Sequence, residues 1–309
     1  MLLPDLRILP LDVLIPHEQT DPRRVDPLTL RLKGEAVLRN PPIVAPFDAQ
    51  GAPDERSYFV VLDGANRTAA FRALGVPHIL AQVVEYGQVQ LHIWHHVLTA
   101  CGIPNLVTRI SAIDGLTVRE TNHISARAAL ARREALAYIS VDISGLSADT
   151  DITHRSSLAP LEAHGQAPAH TPAFAPALAL CGGHDLVERT ELLNQLVRVY
   201  EGCAKVQRTT SDNLREVRES FPDAGAVVAF PRFEPAEIVD LARQGVRLPA
   251  GITRHVLPQR ALRLNYPLDL LQSPQPLAEK QARLNAWVRE RVQDRRVRVY
   301  AEPTVLFDE

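Results

Sequence analysis

The chain has 309 residues, 46% of them hydrophobic, and carries 34 Lys and Arg against 36 Asp and Glu for a net charge of −2. That length and apolar content supply the core of one large domain or two ordinary ones, and the near-neutral balance leaves no electrostatic footprint for nucleic acid. No stretch approaches the ~20 uninterrupted apolar residues that span a bilayer, and Met1 to Arg7 lacks the basic-then-apolar layout of a signal peptide, so a cytoplasmic protein with no membrane contact is expected.

Along the first hundred residues, short apolar runs alternate with helical patterns. Leu6 to Ile15 reads as a strand and Leu28 to Leu38 has helical spacing. Residues 43–47 and 58–62 are strand-like, Arg67 to Leu74 is helical, and 79–84 and 89–94 are strand-like again. This predicts a compact α/β or α+β unit on a small mixed sheet. Residues 106–114 read as a helix, 116–119 as a strand, 128–137 as a helix and 138–141 as a strand.

Between Ser144 and Pro176 the chain turns rich in Ser, Ala, Pro and His and loses its periodicity, the signature of a linker or insertion. Beyond it, Leu186 to Tyr200 places Leu192, Leu193, Leu196, Val197 and Tyr200 on one helical face, with Gly202 at the expected cap. Residues 226–230 read as a buried strand, and 235–244 as a helix with Pro235 in its first turn and Gly245 after its end. Leu277 to Val292 is a last amphipathic helix with Trp287 and Val288 as core anchors. The expected division is therefore residues 1–143, a Pro/Ala/His-rich linker 144–176, and a second α/β region 177–309.

Cys101, Cys181 and Cys203 are far apart and suggest neither a disulfide framework nor a zinc knuckle; they read as buried small hydrophobes. The histidines, including His95-His96, make no HExxH pattern, and none of them is read as part of a metal site.

Three polar clusters interrupt the apolar pattern. Asp63-Gly64-Ala65-Asn66-Arg67 lies between a strand and a helix, so free backbone N–H groups and the helix dipole point at whatever sits above the turn, a place for phosphate. Arg67 adds a charged fork, and Asp63 is placed to hold a divalent metal or orient a hydroxyl. An ordinary strand-to-helix turn, with Asp63 as N-cap and Arg67 on the surface, fits the same five residues. Pro16-His17-Glu18-Gln19 puts a carboxylate at a strand end, as a general base, a metal ligand or a solvated loop residue. Thr253-Arg254-His255 sets a hydroxyl, a guanidinium and an imidazole in a row, either a grip for carboxylate or phosphate or a plain loop.

The order and flanks of these clusters resemble the free L-serine kinases of the ParB/sulfiredoxin superfamily. The likeness runs through Pro16-His17-Glu18-Gln19, Asn40-Pro41-Pro42-Ile43-Val44, Asp63-Gly64-x-x-Arg67 with Ala73-Leu74-Gly75, and the strand bearing Trp94. It resumes at 237–245 and ends at Thr253-Arg254-His255-Val256-Leu257-Pro258. The Asp-Gly-x-x-Arg turn is common to the superfamily, whereas the first and last segments together are specific to the kinases.

The resemblance implies a ParB/sulfiredoxin-like nucleotide-binding domain over 1–143 and a C-terminal α/β domain that completes the substrate site, with the active site in a cleft between them. It implies phosphate transfer from ATP or ADP to free L-serine with Mg²⁺ as the bridging ion, giving O-phospho-L-serine. Glu18 would be the catalytic base and Asp63 the second essential acid and metal ligand, on the same wall as Arg67. Gly64, Asn66, Arg67 and Thr68 would hold the nucleotide, and Trp94, Thr253, Arg254 and His255 would line the serine pocket. The chain departs from the family at Ala65 and Asn66, where histidines are usual, so the Asn66 amide replaces an imidazole. Sulfiredoxin chemistry is excluded because its cysteine position is Ala65. A partition protein is disfavoured by the Asp63 turn and the charge balance. The competing expectation is a non-enzymatic ParB-like regulator that senses nucleotide or a small metabolite; a pure sensor has no chemical need for Glu18.

Overall fold

The computed structural model describes residues 3–47, 57–100, 102–141 and 176–300. Cys101 and all of the expected insertion but Pro176 lie outside them. The fold is mixed α/β, and the chain forms two compact units that share it in alternation. One unit runs up to Leu14, through Pro22–Val84 and again from Gln259; the other takes Ile15–Asp21 and Glu85–Pro258.

In the first unit the strands Asp5–Pro10, His78–Val83, Ile43–Pro46 and Phe59–Asp63 lie side by side in that order. The outer pairings are antiparallel and the central one is parallel, the mixed sheet expected from the sequence. The single strand expected over Leu6 to Ile15 is broken: Pro10 has no N–H to continue a ladder, and a 3-10 turn, Leu11–Val13, separates Asp5–Pro10 from Leu14–Pro16. The first helix, Pro22–Glu35, begins earlier than expected, and Ala36 at φ 53° ends it and sends Val37–Leu38 into a strand with Tyr266–Pro267.

The division between units differs from the linear one expected. Residues after Pro258 belong to the first unit because their apolar side chains complete its core: Tyr266, Leu268, Leu271 and Leu284 pack with Ile8, Leu38, Phe59, Phe71 and Leu80. The helix Leu277–Gln293 has Trp287 edge-on to Tyr266 at 5.3 Å, so its expected role as an anchor holds.

The second unit is built on a six-stranded sheet, in the order Lys205–Thr209, His95–Thr99, Ala224–Ala229, Ala137–Val141, Pro176–Cys181, Thr117–Asn122. Every pairing in it is antiparallel. Helix Leu186–Glu201 buries Leu192, Leu193, Leu196, Val197 and Tyr200, the face read from its spacing. A separate two-stranded ribbon pairs Thr253–Val256 with Gln90–Ile93. Cys181 and Cys203 are half-buried rather than buried, since Cys181 ends its strand and Cys203 lies in the turn after the helix Leu186–Glu201. Among the described residues no helix is long and apolar enough to cross a membrane.

Candidate active site

In the first unit, the strand Phe59–Asp63 ends at Asp63 and the helix Ala65–Ala73 begins two residues later. Gly64 between them has φ +95°, and a Cβ there would stand 3.0 Å from Pro42 Cβ and 3.1 Å from its Cα, so the turn requires glycine. Gly64, and not Asp63, is the N-cap residue of the helix.

Arg67 is not on the surface. Its Nη1 donates to the carbonyls of Asn40 at 2.9 Å and Pro41 at 2.7 Å, and Nη2 donates to Asp63 Oδ2 at 3.3 Å. Burial pulls the guanidinium below its ordinary pKa, an effect the Asp63 charge opposes. The same Asp63 oxygen takes a second guanidinium, from Arg260. Asn66 is half-buried in the first turn of the helix. Thr68 does not face a ligand: it is fully buried, and its hydroxyl donates to the Gly64 carbonyl at 3.1 Å, as an i−4 hydroxyl commonly does in a helix. Its expected place among the nucleotide contacts is corrected accordingly.

In the second unit, the segment around Glu18 is tied to Leu248 on both sides. Leu248 N donates to His17 O and Gln19 N donates to Leu248 O, each at 2.8 Å. The Glu18 carboxylate is then gripped at both oxygens. Oε1 accepts from Thr253 N at 2.7 Å and Thr253 Oγ1 at 2.6 Å, and Oε2 accepts from Gly251 N at 2.8 Å. Its side chain is 13% exposed. With the Thr253 proton on Glu18, His17 Nε2 donates to Thr253 Oγ1 at 2.8 Å, so a buried His17 orients the hydroxyl. The Glu18 carboxylate thus belongs with Thr253, and the backbone pairing with Leu248 ties its segment into the second unit.

His255 lies edge-on to His17 at 5.2 Å and is 2.9 Å from the Tyr86 hydroxyl through Nε2. Burial, reinforced by the Glu18 charge, raises Tyr86 far above its ordinary pKa and keeps it a phenol. The expected row Thr253-Arg254-His255 is a strand, so alternation puts Thr253 and His255 on one side and Arg254 on the other. Arg254 stacks its guanidinium over Trp94 at 4.7 Å, and Trp94 N donates to Ile252 O at 2.8 Å.

Behind the carboxylate, Gly251 has φ +72°, and the Arg208 guanidinium occupies the space a Cβ would need. The Gly251 backbone also hydrogen-bonds His96, whose Nδ1 is 2.6 Å from the Tyr200 hydroxyl. Burial and the nearby Arg208 charge push His96 down to about 3, so it is neutral. Burial likewise lowers its neighbour His95, to about 4.

Among the described residues no group of three or more His, Cys, Asp or Glu could hold a metal ion. Asp63 offers one carboxylate, already shared by two guanidinium groups, so the described residues build no dedicated cage; a cation here would draw most of its ligands from phosphate oxygens and water, as Mg²⁺ commonly does.

Sequence reasoning missed four residues of these sites. His17 stood beside Glu18 in the same motif, Arg260 follows Pro258 by two positions, and the Pro249-Ala250-Gly251 run carries a turn signal. Tyr86 gives no local signal; it reaches His255 across 169 positions.

No family model matches the chain. It is similar to an ATP-dependent L-serine kinase of Staphylothermus marinus, 30% identical over 115 residues that make up 37% of this chain and 42% of that protein. The match therefore spans less than half of that relative. It is also similar to the ATP-dependent L-serine kinase SbnI of Staphylococcus aureus, 20% identical over 270 residues, 86% of this chain and 84% of that one. Its fold is that of a free serine kinase solved in complex with AMP, at a TM-score of 0.64 and 17% identity, covering 86% of this chain and 93% of that structure.

Proposed function

We propose that this protein is a free L-serine kinase that transfers phosphate from ATP or ADP to the serine hydroxyl, giving O-phospho-L-serine. The observation that carries the reading is the Glu18 carboxylate, nearly buried and fixed at both oxygens by three neutral donors. Fixed in this way, it is positioned to receive a proton without being neutralised by a bound cation. The likeness to two L-serine kinases, over 37% and 86% of the chain, supports the substrate class.

In this reading Glu18 takes the proton of the serine hydroxyl while that oxygen attacks the terminal phosphorus. The new O–P bond forms as the bond to the nucleotide's bridging oxygen breaks, and the shortened nucleotide leaves with the electron pair. Thr253, His255, Arg254 and Trp94 line the serine side, with Arg254 suited to the amino-acid carboxylate. Gly64, Asn66, Arg67 and Asp63 serve the nucleotide side, where a helix start favours phosphate oxygens. Bound Mg²⁺ supplies charge neutralisation on the phosphates.

The test is direct. Purified protein incubated with Mg²⁺, L-serine and either ATP or ADP should yield phosphoserine detectable by mass spectrometry, with matching loss of nucleotide phosphate. Nucleotide binding without product under any nucleoside di- or triphosphate would replace this reading with that of a sensor.

A further inference from the structure

The half-buried Tyr86 phenol belongs to none of the three polar clusters, yet it reaches the network around Glu18. Two backbone bonds, Gln88 N to Glu85 O and Val89 N to Tyr86 O, each at 3.0 Å, close the 3-10 turn Tyr86–Gln88 just ahead of the strand Gln90–Ile93. That strand pairs Leu91 with His255, so the turn brings the phenol back to the His255 ring. The hydroxyl lies 2.9 Å from Nε2, and the two ring centroids are 5.6 Å apart. On its other flank the His255 ring meets His17 edge-on, at 5.2 Å and 88° between planes. His17 in turn orients the Thr253 hydroxyl on Glu18, and all five residues lie in the second unit.

One proton is shared between the phenol and the imidazole, and chemistry decides its side. Burial and the Glu18 charge keep Tyr86 protonated. Among the described residues, His255 Nε2 is the acceptor that the phenolic O–H reaches. With the phenol donating, Nε2 offers its lone pair and a neutral His255 carries its proton on Nδ1. The opposite tautomer would leave Nδ1 with a lone pair, which repels a carboxylate. A neutral N–H donor suits the acidic end of an amino acid beside a carboxylate base, because it adds no cation to compete for that base.

We propose that Tyr86 is a positioning residue of the serine pocket, whose hydroxyl donates to His255 Nε2 and so fixes His255 as an Nδ1–H donor for the substrate carboxylate. The proposal rests on the kinase reading above and deepens it, adding to the serine side a residue outside every motif from which that reading was drawn.

The experiment uses full-length protein labelled with nitrogen-15 histidine, with His255→Gln to assign the signal, and compares wild type with Tyr86→Phe. At neutral pH the wild-type spectrum should show His255 protonated on Nδ1 and bare at Nε2, and Tyr86→Phe should show a mixture of tautomers. The KM for L-serine should rise about 3- to 10-fold in Tyr86→Phe, the worth of one neutral hydrogen bond, with kcat and the Kd for ADP within about twofold. Competition by ethanolamine, which keeps the hydroxyl and amine of serine but lacks its carboxylate, should be the same in both proteins. Because the wild-type spectrum reports the tautomer by itself, early melting of the variant would not shield the assignment. A wild-type His255 protonated on Nε2, an unchanged serine KM, or an equal loss for ethanolamine would overturn it. Wild-type protein that binds serine in calorimetry but makes no phosphoserine would refute the kinase reading and leave Tyr86 judged on the spectrum and on serine affinity; wild-type protein that binds no serine would refute both.

Discussion

Asp63 and Glu18 are the two carboxylates around which the candidate sites are built, and their surroundings are opposite in kind. Asp63 sits between two guanidinium groups and serves as their common acceptor. Glu18 is held by a hydroxyl and two backbone N–H groups, none of which brings a full charge. The first arrangement spends a negative charge on aiming positive ones, as a phosphate site requires. The second fixes a carboxylate's position while leaving its charge to act on a substrate proton. Two carboxylates are thus suited to the different roles proposed for them by their donors alone.

The largest effect that separates the two is expected at Glu18. Glu18→Gln should lower kcat for phosphoserine formation by ~10²–10⁴, the usual worth of a general base, and leave the Kd for ADP within about twofold. Retention of most of the rate in steady-state assays would remove Glu18 from its role.

Thr253 tests the neutral cradle next. Thr253→Val removes the hydroxyl between His17 and Glu18 while keeping shape and the backbone donor, and should cost ~1–3 kcal/mol in kcat/KM, roughly 5- to 150-fold. Nucleotide affinity, measured in parallel by calorimetry, should not follow; a shift in both by the same factor would mean the change is structural.

The two units should also differ in acid. His95 and His96 lie in the second unit with values near 4 and 3, below the ordinary 6.5. A histidine lowered in the folded state favours folding above pH 6.5, and that contribution is lost as pH falls from 6.5 toward the folded value. Each therefore withdraws up to ~1.4 kcal/mol per pH unit over that window. Urea midpoints followed by hydrogen exchange should fall between pH 7 and pH 5, first for amides of the second unit. His78 in the first unit is lowered as well, by burial and the Lys280 charge, so the first unit should respond in the same direction. An unchanged midpoint at pH 5 would show these histidines already protonated in the fold.

The smallest effect is at the stacked pair. Trp94→Leu should weaken serine binding by ~0.5–1 kcal/mol, two- to fivefold in KM, since it removes one cation–π contact from Arg254 while the carboxylate cradle stays intact. An unchanged KM would show that Arg254 does not reach the substrate.

How much of this was legible depended on distance along the chain. The Asp63 turn announces itself because strand, glycine and helix are contiguous, and the structure adds only that Gly64 caps and Arg67 is buried. The pairing of Glu18 with Thr253 joins residues 235 positions apart, and no periodicity or spacing encodes it. Only the resemblance set the two segments in one reading. The change of composition near Ser144 suggested a boundary, whereas the chain passes between units after Leu14, Asp21, Val84 and Pro258. The first of those passages falls within the strand Leu14–Pro16 and the others just outside helices and strands, so the interleaving left no trace in composition. Helix faces fared best, since burial of Leu192, Leu193, Leu196, Val197 and Tyr200 follows from 3.6-residue spacing alone.

The shared chain also sets an order of completion during synthesis. The second unit has all its residues once Pro258 has left the ribosome, but the first, begun earlier, waits for Gln259 and the residues after it. Until Tyr266, Leu268, Leu271 and Leu284 arrive, Phe59, Phe71 and Leu80 have no partners on that side and present a sticky apolar surface. A premature stop anywhere before that point would strip away Arg260 and, with it, half of what keeps the nascent unit out of aggregates, so shortened products should be cleared rather than accumulate as a working fragment.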